Sequence, residues 1–486
     1  MSEPKNTLRK NLSPAHVWAL AFGCIIGWGS FINPGKKFLP NSGVEGTAIA
    51  MVLGALVMII IACTYAYMVP KYPKAGGEFT FTKKCFGKIP AYICGWFLVA
   101  AYLTNVPMNS TAIGLIVDGL DGTADILKWG FHYDVAGFHI YAGEMLLAMS
   151  ILILFGVLNI LGVKKAGIVQ TVLSGLLIVS ILTLTIAALI SDKVSFANMH
   201  PLWGFDKAAA MDAGGTIESA NQFAHVGRQG IISAILATFA IAPWAFVGFD
   251  TIPQAAEEFK FSYGKVMKIM VVAIIFGAFV YIANNTVAAA ALKSWPERVM
   301  NGEWVLLVAA EEMLGIFGKI LIGVAVSCAV LSGIMGFYLA SSRLMYSMSR
   351  DGYLPAVFSK IDQKYGTPKN AMLFCIVISL SGPILGREAL GWFVDMSAIG
   401  ASIGFLATSL SALVSMNRAK DGSMALKIFA LLGATFSLIF IILQLVPIPG
   451  LVGVNFCMES YMLLVVWILI GMVFFFQRRK YFLTEN

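Results

Sequence analysis

Polar and apolar positions along this chain separate into long blocks instead of alternating. Runs free of Asp, Glu, Lys and Arg cover Leu12–Gly35, Gly46–Val69, Ile89–Val117, Met145–Val163, Ala166–Ser191, Ile231–Phe249, Ile269–Leu292, Ile320–Ser342 and Ala371–Gly386. Three more follow: Gly391–Asn417, interrupted only by Asp395, then a stretch Ile428–Met458, then Ser460–Gln477. A helix needs about 20 predominantly apolar residues to cross the hydrocarbon core of a bilayer. The pattern therefore predicts twelve membrane-spanning helices, referred to below as spans 1–12. Pro447, Pro449 and Gly450 should stop span 11 near Val446. The longest hydrophilic gaps, Asp118–Gly143 and Asp192–Gly230, are too short and irregular for separate domains.

Composition agrees. Hydrophobic residues make up 58% of the 486 and charged residues 12%, too little polar surface to coat soluble domains of that length. The net charge of +8 does not point to nucleic acid, because no basic tract is interleaved with aromatics. Alternating sides of the twelve spans hold 24 and 10 of the 34 Lys and Arg. The positive-inside rule then places both termini in the cytoplasm. The seven cysteines are scattered without a C-x-x-C pair, so neither a zinc site nor a disulfide framework is expected. The five histidines lie outside the mid-membrane regions and none pairs at metal-ligand spacing, and no Walker-type loop is present. An enzyme is not expected, and no cofactor or metal.

Spans 1 and 6 differ from the rest. Span 1 carries Gly23, Gly27 and Gly29, then Asn33-Pro34-Gly35; span 6 carries Pro243 and Gly248 around Trp244-Ala245-Phe246-Val247. Each is a candidate break. Each also opens a set of five helices, and sets of odd number invert topology. Interrupted helices at matching places in two halves are the sequence pointer to a transporter built of inverted repeats. Irregular backbone at membrane depth is tolerated where it is buried or lines a cavity, so the two breaks predict a binding site made largely of main chain.

Five stretches then resemble one family. Gly27-Trp28-Gly29-Ser30-Phe31 is similar to the G-x-G-x-F element of the amino acid–polyamine–organocation permeases. Tyr72-Pro73-Lys74-Ala75-Gly76-Gly77-Glu78-Phe79 resembles the signature of the loop after that family's second helix. Trp244-Ala245-Phe246-Val247-Gly248-Phe249-Asp250, followed by Glu257-Glu258, resembles its sixth helix. Ser342-Arg343 through Ser349-Arg350-Asp351-Gly352-Tyr353-Leu354-Pro355 and Asp395-Met396-Ser397-Ala398-Ile399-Gly400 complete the set in order.

The resemblance implies an all-α integral membrane fold: twelve helices, two inverted five-helix repeats with helices 1 and 6 broken at mid-membrane, and helices 11 and 12 appended. The divisions expected are a cytoplasmic N-terminus (1–11), repeat 1 (12–191), an extracellular connection (192–230), repeat 2 (231–417), helices 11–12 (418–477) and a cytoplasmic C-terminus (478–486). The implied activity is secondary active transport of an amino acid across the cytoplasmic membrane by alternating access, proton-coupled or by exchange. An amine or polyamine permease and a non-transporting nutrient sensor are the alternatives. Apart from Asp250 and Asp395 the ten-helix core reads as nearly free of carboxylates, which favours a zwitterion over a polyamine. The partners expected are this small molecule and the lipid bilayer, and the chain reads equally as monomer or dimer.

The resemblance implies a site over Ile25, Ile26, Gly27, Trp28, Gly29, Ser30, Trp244, Phe246, Val247 and Gly248. In it the amides of Trp28, Gly29 and Ser30 would receive a carboxylate, as free amides at a helix start also would on physical grounds. Carbonyls of Ile25, Trp244 and Val247 would receive an ammonium, and Trp244 would close over the substrate. Two positions depart from the family: Trp28 stands where a small residue is usual, and span 5 has Leu177 where some relatives have a lysine in place of a cation. A sodium ion would use carbonyls near Gly23 and Ile26 with Ser327 and Ser332, which are five residues apart on different helix faces. Asp250 is the candidate proton carrier. The polar residues Asn105, Gln170, Asn284, Asn285, Ser332, Tyr338 and Ser402 are expected mainly to tie helices together.

Overall fold

The computed structural model describes residues 8, 10–121, 125–135, 138–386, 389–447 and 455–483. Helix occupies part or all of each of the twelve apolar stretches. Among the described residues nine helices are long and apolar enough to cross a membrane. The apolar stretches 1, 6 and 9 are in pieces. Span 1 is helical over Pro14–Ile25 and again from Gly29–Asn33. A π-helical turn, Pro34–Phe38, carries it on into the span 2 helix, Leu39–Lys71. Span 6 runs Gly227–Phe239, Ala242–Phe246 and then in short 3-10 turns to Glu258. Span 9 stops at Ser379 and resumes over Gly382–Leu385, an interruption not expected from the sequence. There a Cβ on Gly382 would lie 2.2 Å from Pro107 of span 3, so the small residue lets two helices approach.

The uninterrupted helices are spans 3 (Lys88–Asp121), 4 (Ala142–Ile160), 5 (Val163–Ile190), 7 (Val266–Ala290), 8 (Ile316–Arg350), 10 (Ala389–Ala419), 11 (Met424–Leu445) and 12 (Met458–Gln477). Backbone groups in lipid can be satisfied only within such segments. Their apolar residues are shared between core and outer surface: in span 7, Met270, Ala273, Ile274, Gly277 and Tyr281 are buried, while Val272, Ile275 and Phe279 are exposed. Spans 8 and 10 each pack along span 3 at the centre. Span 12 keeps only Ser460 and Gly471 buried and lies at the periphery. Span 11 ends at Leu445, as Pro447 requires; Pro449 and Gly450 lie outside the described residues.

Besides the helices the described residues hold one short hairpin. In the gap before span 4, His132–Val135 pairs antiparallel with Phe138–Tyr141, with Val135 opposite Phe138. Alternation of Tyr133 and Val135 with polar neighbours is the strand pattern, and it is too short to stand out in an apolar chain. A second departure matters more. The signature after span 2 forms a helix, Gly77–Phe86, whose residues Gly77–Thr82 are all buried. This segment turns back into the bundle.

The described ends of the chain share one end of the bundle. Leu8 packs on Ala75 and Tyr346, and Phe482 packs on Tyr353 with rings 5.5 Å apart. That end is closed by ion pairs: Arg343–Glu258 at 2.8 Å with both side chains fully buried, and Arg350–Glu257 and Lys83–Asp351, each also at 2.8 Å. Asn11 and Leu12 donate their amides to the Glu258 carbonyl at 2.9 Å.

Candidate functional site

The break in span 1 is three residues wide. Ile26 caps the first helix with φ −93° and ψ 89°, and the chain re-enters a helix at Gly29. The amides of Gly27, Trp28 and Gly29 have no hydrogen-bond partner among the described residues, whereas Ser30 donates its amide (3.2 Å) and hydroxyl (3.0 Å) to the Gly27 carbonyl. Of the three amides expected to be free, Ser30's is therefore engaged. Span 6 leaves its helix at Val247 (φ −56°, ψ 128°) and turns at Gly248, whose φ of +141° favours glycine. A Cβ on Gly248 would sit 2.7 Å from both the Cys24 Cβ and the Ile25 amide. The two breaks therefore lie against each other.

Between them lies a cavity lined by Cys24, Ile25, Gly27 and Trp28 of span 1 and by Trp244 and Val247 of span 6. Asn105, Met108, Asn109, Tyr281 and Phe337 from spans 3, 7 and 8 complete its wall. It has room for about 10 Å³, one water-sized sphere. Trp28 and Trp244 close one side, their rings 6.1 Å apart and tilted by 55°. Gly29 is essential to that arrangement, since a Cβ there would lie 2.3 Å from the Trp244 ring. No lining residue carries a formal charge. Among the described residues, the buried side-chain polar atoms of the wall without partners are the indole N–H of Trp28 and Oδ1 of Asn109. The Asn109 amide nitrogen is held by the Asn105 carbonyl at 2.7 Å.

The carbonyls are less open than the sequence reading expected. Tyr281 donates its hydroxyl to the Ile25 carbonyl at 3.3 Å. The Trp244 carbonyl accepts from the Val247 amide at 3.3 Å. The Val247 carbonyl has no partner among the described residues. Phe246 and Ile26 are buried beside the cavity without lining it; the Phe246 ring faces Tyr281 at 6.4 Å.

Ser332 donates its hydroxyl to the Gly23 carbonyl at 3.2 Å. Ser327 is elsewhere, on an outer groove with Leu120, Ile316 and Lys319. The structure thus does not bring Ser327 and Ser332 together. Among the described residues no group of three or more His, Cys, Asp and Glu gathers where a metal would bind. The remaining polar residues of the spans mostly join helices: Asn105 to Ser397 (2.6 Å), Gln170 to the Ala19 carbonyl (3.0 Å), Asn284 to the Ser30 carbonyl (3.0 Å) and Asn285 to the Gly43 carbonyl (3.1 Å).

Asp250 is fully buried, accepting from the Gly248 amide at 2.7 Å and from the Tyr102 hydroxyl at 3.0 Å. The reading that Asp250 and Asp395 are nearly the core's whole complement of carboxylates is corrected here: Glu78 and Glu258 are fully buried as well. Both lie outside the apolar runs, in segments that fold back into the bundle.

Fold and site together describe a polytopic helical bundle with two unwound helices meeting at a closed, uncharged cavity. A model of the family described as "Amino acid permease" matches residues 12–475. The chain belongs to that family. Among its relatives, the "Branched-chain amino acid permease BcaP" of Bacillus subtilis is 25% identical, with 97% of this chain and 93% of that one aligned. The human "Large neutral amino acids transporter small subunit 2" is 25% identical, and the mouse "Asc-type amino acid transporter 1" 26%. These two alignments take in 77% and 76% of this chain but span only 64% and 63% of the relatives' lengths.

Proposed function

We propose that this protein is a secondary transporter for a neutral amino acid, working by alternating access across the cytoplasmic membrane. In this reading residues 12–191 and 231–417 are inverted five-helix repeats, 192–230 is extracellular, 418–477 is appended, and both termini (1–11 and 478–486) are cytoplasmic. The observation that carries the proposal is the meeting of the two breaks. Gly27 and Trp28, whose amides are unpartnered among the described residues, line the same small cavity as Val247, whose carbonyl is likewise unpartnered. A zwitterion needs such a pair: donors at the start of a helix for its carboxylate and carbonyls at the end of another for its ammonium. Trp28 and Trp244 are the gate, and opening them enlarges the cavity to substrate size. Transport is coupled to protons through Asp250 or proceeds by exchange.

The uncharged wall supports an amino acid with an uncharged side chain over an amine or polyamine, which would want carboxylates facing the cavity. The relatives' names, large neutral and branched-chain amino acids among them, agree with that choice. Counterflow in liposomes tests it. Vesicles loaded with unlabelled leucine, alanine or isoleucine should accumulate the labelled counterpart, and vesicles loaded with putrescine should not. Thermal stabilisation by an amino acid without any counterflow would leave a sensor as the better reading.

A further inference from the structure

Glu78 and Asp250 come from two different sequence motifs and meet at one tyrosine. The Tyr102 hydroxyl lies 3.0 Å from Asp250 Oδ2, 3.0 Å from the Asp250 carbonyl and 3.5 Å from Glu78 Oε1. Tyr65 donates to Glu78 Oε1 at 2.8 Å, and Gln254 donates its amide to Glu78 Oε2 at 2.6 Å and to the Tyr102 oxygen at 3.3 Å. All five side chains are fully buried.

Hydrogens can be counted here. A phenol carries one O–H hydrogen, yet three oxygens from Glu78 and Asp250 stand around that of Tyr102. Gln254 Oε1, also buried within this network, has no donor among the described residues. The cluster is short of hydrogens if both acids are ionised. It is also short of positive charge. The other groups facing it are the Cys24 thiol from span 1, the Cys94 thiol from span 3, the Thr251 hydroxyl and, beside Tyr65, Thr408 from span 10. Arg343 of span 8 is committed to Glu258, and Lys83, on the same helix as Glu78, to Asp351. Among the described residues no basic side chain reaches either acid. Two buried like charges without a cation do not both ionise.

We infer that Glu78 and Asp250 form one proton-binding site, holding a single exchangeable proton between them across the Tyr102 hydroxyl. A proton on either acid supplies the missing donor and removes one of the two charges. The site joins the folded-back segment after span 2 to the unwound part of span 6. Asp250 also holds the amide of Gly248, the residue after Val247 of the cavity wall, so loss or gain of the proton is felt there. Tyr102 is a positioning residue. The use of this proton in coupling rests on the transport reading above; its existence does not.

Infrared spectra of the purified full chain in lipid nanodiscs test the site without any substrate. At neutral pH the wild type should show a protonated-carboxyl C=O band that is lost in Glu78→Gln and in Asp250→Asn alike, with no further loss in the double variant. Either remaining acid alone has enough donors to stand as a carboxylate. Tyr102→Phe keeps both acids and should keep the band but shift its frequency, which gives a readout should Glu78→Gln not fold. A band that survives either acid substitution, a wild type without the band, or a frequency unmoved by Tyr102→Phe overturns the inference. Leucine counterflow on the same preparations reads separately. Counterflow with no such band sinks the proton site and leaves transport standing; the band without counterflow does the reverse.

Discussion

Gly29 shows how much one missing side chain carries. The Trp244 ring occupies the space its Cβ would take, and an added branched side chain costs about 1–3 kcal/mol of strain in a close-packed interior. Gly29→Val should therefore leave an inserted, monodisperse protein whose amino acid affinity falls by about tenfold or more. Isothermal binding or counterflow checks it; parental affinity would remove the main-chain site from this position. Trp28 makes a complementary case. Its indole walls the cavity and its N–H has no partner, so Trp28→Ser should vacate a large volume and shift the uptake profile toward bulkier side chains. An unchanged profile across alanine, leucine and phenylalanine would place the indole outside the pocket during transport. Gly29 stood out in the sequence as part of a candidate break matched in span 6, and Trp28 because the family that the chain resembles usually has a small residue there. Asn109 and Met108 did not, since a polar or flexible residue in a helix signals nothing until its neighbours in space are known. Glu78 was visible inside a motif, but its burial came from the chain turning back, which no periodicity records.

At the scale of elements, helix is legible wherever length and apolarity suffice, and breaks are legible where glycine and proline cluster. Span 9 shows the limit. Ser381-Gly382-Pro383 is as strong a break signal as Pro243, yet its meaning, close approach to Pro107 of span 3, depends on a partner element. The end of span 8 makes a further testable case. Arg343 and Glu258 are wholly buried and 2.8 Å apart, tying span 8 to the end of span 6 and, through the Glu258 carbonyl, to Asn11 and Leu12. Removing one partner of a buried pair strands the other charge and costs about 3–5 kcal/mol, whereas replacing both with apolar residues is often neutral. Arg343→Met should lower the unfolding temperature in detergent clearly, and Arg343→Met with Glu258→Leu should restore most of it. Equal losses in the single and double variants would mean that the contact is not a pair in the energetic sense.

The whole molecule bears on what drives it. A sodium ion in a bundle of this kind would need several oxygens left over after the helices have satisfied one another. Around Gly23 most of those oxygens are engaged: Ser332 donates to the Gly23 carbonyl, Gln170 and Ser174 both donate to the Ala19 carbonyl, and Ser327 looks out to a different surface, while Gln170 Oε1 and the Ile26 carbonyl have no partner among the described residues. A Cβ on Gly23 would lie 2.2 Å from the Gln170 amide, so side chains already fill the space next to it. Beside Cys24, the next residue, the shortage is the opposite one: two buried acids, no cation among the described residues and too few hydrogens. Replacing sodium by choline on both sides of the membrane should therefore leave the initial rate of leucine uptake within the scatter of the assay. An inward pH gradient should raise accumulation in the wild type and lose its effect in Asp250→Asn, whose counterflow should persist, since the proposed site meets the substrate's charges with main chain. A pure exchanger would ignore the gradient in both forms. Strict sodium dependence would require Ser332 to release the Gly23 carbonyl when substrate binds, and would move the coupling site from span 6 to the contact between spans 1 and 8.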